Sequence, residues 1–198
     1  MKNLIFTLVF ACTLAAGLNA QDVNAQLSEA KSSYNSGDLQ STRFALQQAI
    51  NEIDKAIGAE IMKILPTSMG DLSFIESSDN ITATSSGFAG VFVSRSYGAE
   101  DETNASLQVI SDSPMLAGVN ALLAMPMFVS DPSQKKIKVG SYRALLQKTE
   151  DENGVSWDVQ IPVRSTLITL HTTGIDTEKA VTEMAGTIPV DQIAKFAQ

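Results

Sequence analysis

Between Val155 and Val163 the chain alternates without a break. Val155, Trp157, Val159, Ile161 and Val163 occupy one phase, and Ser156, Asp158, Gln160, Pro162 and Arg164 the other. A period of two belongs to a strand with one buried and one wet face. A slip of one residue would turn all five apolar side chains to water, so the register is tightly specified. Asn153-Gly154, just upstream, supplies the positive-φ turn that suits a hairpin. Neighbouring segments repeat the pattern, and three consecutive antiparallel strands are predicted: Lys136–Leu146, Val155–Val163 and Thr166–Thr172. In the first, Ile137 and Val139 share one phase while Tyr142, Ala144 and Leu146 take the other; the switch at Gly140-Ser141 is expected to be a bulge.

Upstream, Gly90–Tyr97 and Ser106–Ser111 read as a strand pair, preceded by weak strand signals at Leu72–Ile75 and Ile81 within a linker from Thr67. Ser113-Pro114 opens a helix that presents Met115, Leu116, Val119, Leu122 and Leu123 and stops at Pro126. Asp176 is expected to cap a helix through Ala185, with Val181, Met184 and Ala185 inward, and Val190–Phe196 forms a last short helix. The order ββ-α-βββ-α over residues 67–198 predicts an α+β domain. Its expected form is one twisted antiparallel sheet of about five strands with helices on one face. In element order, roughly Gly87–Gln198 resembles the small PsbP/Mog1/DcrB-like domains; that likeness carries no functional residue with it.

Residues 21–66 are read as an antiparallel helical hairpin. Val23, Leu27, Ala30 and Tyr34 form one helical stripe, and Ser36-Gly37-Asp38 breaks it, with Gly37 suited to a left-handed helix end and Asp38 to the next cap. Leu46, Ala49, Ile50, Ile53, Ile57, Ile61, Ile64 and Leu65 then form a near-heptad seam stopped by Pro66. The spacing of Ala30, Tyr34, Gly37-Asp38, Leu39, Leu46 and Ala49 resembles a single tetratricopeptide-type unit, with Thr42 where a small alanine is usual. One such unit cannot bury its own face. The hairpin is therefore expected to pack on the downstream domain or on a partner, rather than to form a peptide-binding array.

The first twenty residues are expected to be a secretory leader. Met1-Lys2-Asn3 is a short basic start, Leu4–Ala16 is apolar, and Leu18-Asn19-Ala20 is a small-residue cleavage site before Gln21. Cys12 follows Val9-Phe10-Ala11, whose bulky Phe10 suits a lipidation signal poorly, so Cys12 is read as part of the discarded leader. It is the only cysteine, so the exported chain would have neither a disulfide framework nor a thiol nucleophile. Losing Lys2 takes the formal charge of −8 to −9. An acidic chain of this kind is a poor match for nucleic acid or anionic membrane surfaces. A periplasmic or secreted bacterial protein is expected, with no transmembrane segment once the leader is removed.

No catalytic constellation is visible. The single histidine, His171, shares a strand phase with Thr169 and Thr173 and is expected to face solvent rather than act as a base. One histidine excludes a multi-histidine metal site within one chain. The acidic runs Glu100-Asp101-Glu102 and Glu150-Asp151-Glu152 lack calcium-loop spacing, and Gly87-Phe88-Ala89-Gly90 lacks the lysine of a phosphate cradle. No cofactor is expected. What remains is a candidate interaction face on the wet side of the sheet: Arg95, Lys136, Lys138, Arg143, Arg164 and His171, with Lys135 close by in sequence. The reading that follows is an exported, non-enzymatic binding or structural module of the cell envelope, whose partner is a protein or envelope component. The alternative is a small-molecule or lipid carrier with a pocket between sheet and helices, lined in part by Met115–Phe128.

Overall fold

A computed structural model describes residues 18–83, 90–99, 103–125, 133–152 and 154–197, with side chains from residue 22 onward. Residues 1–17 of the expected leader, with Cys12, as well as Gly87–Ala89, Glu100–Glu102, Pro126, Met127, Phe128 and Asn153, lie outside the described residues. The chain divides into two compact units, Met1–Ile53 and Asp54–Gln198. The division falls inside the second helix.

In the first unit, α1 (Leu18–Asn35) leads to α2, which runs from Leu39 to Ile64. Gly37 between them has φ +81°, the left-handed conformation that glycine adopts without a Cβ penalty. The Asp38 carboxylate accepts the Ser41 backbone N–H at 3.0 Å, the expected cap, and this hydrogen bond lowers the Asp38 pKa. The side chains buried in residues 22–53 are Ala30, Ser33, Ala45 and Ala49, all small. The large apolar ones remain exposed. The near-heptad seam is thus not one contact surface: Ala49 is buried, Leu46, Ile50 and Ile53 are exposed, and Ile61 and Leu65 enter the core of the second unit.

The second unit holds seven sheet strands rather than about five. After the small hairpin β1 (Ser68–Met69) and β2 (Leu72–Ser73) come β3 (Asn80–Ala83), β4 (Val91–Gly98) and β5 (Asn104–Ser111). Helix α3 (Leu116–Ala124) precedes β6 (Gln134–Val139), β7 (Tyr142–Asp151), β8 (Gly154–Val163) and β9 (Thr166–Thr173). Helices α4 (Glu178–Gly186) and α5 (Val190–Ile193) complete the chain. The sheet order is β3-β4-β5-β9-β8-β7-β6, antiparallel throughout: two meanders joined where β5 meets β9.

One predicted strand, Lys136–Leu146, is in fact two. Gly140 (φ +58°) and Ser141 form a two-residue hairpin turn that places Val139 opposite Tyr142. Such a turn shifts sequence parity as a bulge does, which is why the pattern alone did not separate them. The helix cap is likewise Thr177, whose hydroxyl accepts the Ala180 N–H, rather than Asp176.

The register assigns the faces. Val93, Leu107, Leu170, Val159 and Leu146 lie on one face, which the end of α2 (Ile61, Met62, Leu65), α4 (Val181, Met184, Ala185) and α5 (Ile193) cover to form the main core. A Cβ on Gly58 would sit 2.5 Å from Ile81 and 3.2 Å from Val91, so only glycine lets α2 approach β3 and β4 this closely. The helices are not all on one face, as expected from sequence. Val119 and Leu123 of α3 pack on Leu145 and Leu167, whose side chains point to the opposite side of the sheet. The doublets Leu145-Leu146 and Leu167-Ile168 mark where both faces are covered.

Candidate functional site

Helix α3 covers one end of its face. Along the rest, the three central strands present a block of polar side chains whose rows follow from the register. Asn104, Thr173 and Ser156 form one row; Ser106, His171 and Asp158 the next; Gln108, Thr169 and Gln160 the third. All nine are half-buried. The rows continue through Ser94 and Ser96 on β4 and Gln147 on β7. Wet sheet faces usually carry long Lys, Glu and Arg side chains that discourage association. This block has none, and six of its nine side chains are short Ser, Thr, Asn or Asp, which let a ligand approach the sheet closely.

At its centre, His171 Nδ1 lies 2.9 Å from Asp158 Oδ1, and Nε2 lies 3.4 Å from the Thr173 hydroxyl. The carboxylate orients the ring and, by hydrogen bonding to it, raises the His171 pKa, against the opposing effect of burial. The sequence of carboxylate, imidazole and hydroxyl matches a general-base relay. Two features work against that use: the His171 side chain is 43% exposed, and the raised pKa favours an imidazolium that donates from both nitrogens. Sequence reasoning missed this pair, although a signal existed. The Arg164-Ser165 turn sets Val163 opposite Thr166, and counting five residues out along each strand brings Asp158 opposite His171.

The six predicted face residues do not all gather. Lys136, Lys138 and Arg143 share the open face on β6 and β7, with Lys138 directly opposite Arg143, and Lys136 donates to the Met125 carbonyl. His171 is three strands from β6, about 14 Å at the usual strand spacing. Arg95 is on the covered face, since it shares a phase with Val91, Val93 and Tyr97. It is buried, forms a two-point pair with Asp79 (2.8 and 2.6 Å), donates to the Leu65 carbonyl at the end of α2, and stacks over Phe74. Its role is to tie α2 to the sheet. Arg164 is in the β8–β9 turn at φ +53° rather than on the strand, and donates to the Ala197 carbonyl. Lys135 pairs with Glu178 of α4. Trp157 is core, with its Nε1 donating to the Ile175 carbonyl.

No family model, curated protein or solved structure matches this chain. Among the described residues, no group of three or more His, Cys, Asp or Glu side chains could hold a metal ion, and no helix is long and apolar enough to cross a membrane.

Proposed function

We propose that this chain is an exported, non-enzymatic binding module of the bacterial cell envelope that holds an envelope component on the open polar face of its sheet. The basic, apolar and small-residue segments of Met1–Ala20 support export. The observation that carries the binding face is the block of nine polar side chains centred on the Asp158–His171 pair, free of Lys, Arg and Glu. A partner rich in hydrogen-bonding groups would exchange water for these hydroxyls and amides at little cost in side-chain entropy. The test is capture from an envelope fraction by the whole chain and by a Ser106→Lys/Thr169→Lys variant with an unchanged melting temperature. Loss of a captured component in the variant supports the reading; equal capture by both overturns it.

A second reading, a small-molecule or lipid carrier, is favoured by one cavity. About 390 Å³ in volume, it is lined by Met69, Leu72, Ile175, Ala180 and Met184, with Asp71 and Glu183 among its polar groups. It is not at the expected Met115–Phe128 region, where Val119 and Leu123 are packed against the sheet. Native mass spectrometry that finds an apolar ligand, lost in Met184→Trp, would favour this reading over the first.

A further inference from the structure

We infer that the chain pairs with a second copy of itself through an antiparallel α2–α2 contact. This goes beyond the binding face just described and uses none of its residues. On α2, Leu39, Leu46, Ile50 and Ile53 are spaced seven, four and three residues apart, within about 60° of one another at 3.6 residues per turn. That is a coiled-coil seam. All four side chains are 44–65% exposed, whereas the residues buried on the same stretch, Ala45 and Ala49, lie about 100° away around the helix. The hairpin therefore closes on small residues and leaves its large apolar stripe uncovered, which is an unusual use of Leu and Ile on a water-facing helix.

Charge selects the occupant and its direction. The seam contains one charged residue, Arg43, midway between Leu39 and Leu46. Of the positions flanking the seam, Gln40, Thr42 and Gln47 are uncharged and Asp54 is acidic, so two copies meet there without repulsion where Asp54 of one lies against Arg43 of the other. In a parallel pair, Arg43 would face Arg43 across an apolar seam, a like-charge contact that costs stability. In an antiparallel pair centred between Leu46 and Ile50, Leu46 meets Ile50 of the second copy. Arg43 then meets Ile53 and the adjoining Asp54, so the cation of each copy finds an anion of the other. The stripe is about 20 Å long by helix rise, so the contact is small and suits a dimer of micromolar affinity.

Sedimentation equilibrium of the whole chain tests this. A concentration-dependent monomer–dimer equilibrium in the micromolar range is expected, abolished by Ile50→Glu without change in the circular dichroism spectrum. Direction is read separately in a Cys12→Ser background. The double variant Arg43→Cys/Ile53→Cys should form disulfide-linked dimers under mild oxidation, while neither single variant should. A chain that stays monomeric across that range, an Ile50→Glu variant that still dimerises, or a single-cysteine variant that cross-links as well as the double one would overturn the proposal. So would a stripe that binds an unrelated protein while the chain alone remains monomeric.

Discussion

Arg95–Asp79 on the covered face of the sheet and His171–Asp158 on the open one are both pairs of base and carboxylate, and their surroundings make them different devices. On the covered face, Arg95 and Asp79 are joined at two points under Phe74, and the guanidinium also reaches a carbonyl at the end of α2. On the open face, Asp158 holds His171 by one hydrogen bond amid hydroxyls, in reach of water. Burial turns the first into a fastener whose loss strands a charge. Exposure leaves the second adjustable, with a small energetic stake. A charged residue on a strand is thus not evidence for a wet face; its phase is better evidence than its chemistry.

Breaking the fastener should have the largest effect. Asp79→Ala leaves Arg95 buried without its carboxylate and is expected to cost about 3–5 kcal/mol in chemical denaturation. A loss below about 1 kcal/mol would put the pair in the class of surface bridges and erase the contrast. Next comes the lid of the open face: Leu123→Ala should cost about 2–3 kcal/mol, because α3 rests on Leu145 and Leu167 through few side chains. A smaller effect of opposite sign is expected on the covered face. Thr172 is fully buried and its hydroxyl has no partner, so Thr172→Val should raise stability by about 1 kcal/mol.

The smallest effect sharpens the comparison most. Folding raises the His171 pKa, so it favours the protonated form. The resulting stabilisation is complete below the unfolded value of about 6.5 and fades as pH rises through the higher folded value. Solvent screening at this half-exposed site should keep it under about 1 kcal/mol. His171→Gln should flatten the stability profile across that window, and an NMR titration of His171 that gives an ordinary imidazole value would contradict the assignment.

Much of this was legible in the chain. The alternation of Val155–Val163, the strand pair upstream, the break at Gly37-Asp38 and the inward set Val181, Met184 and Ala185 all follow from period and local steric rules, which act over a few residues. The strand count was not, because a two-residue turn at Gly140-Ser141 and a bulge leave the same trace in sequence parity. The candidate site was half legible. Strand phase alone puts His171 on the open face and Arg95 on the covered one, whereas Arg164 lies in a turn that the polar alternation does not mark.

Which stretches become strands or helices, and which of their sides are apolar, follows from local pattern, since backbone periodicity and side-chain transfer free energy are properties of neighbouring residues. Long-range packing, by contrast, lays α3 across the open face, joins β5 to β9, brings Asp79 to Arg95, and divides the seam of α2 between a core and an exposed stripe. Those outcomes depend on which surfaces remain to be covered once every strand has paired. That is a property of the whole assembly, and no local window contains it.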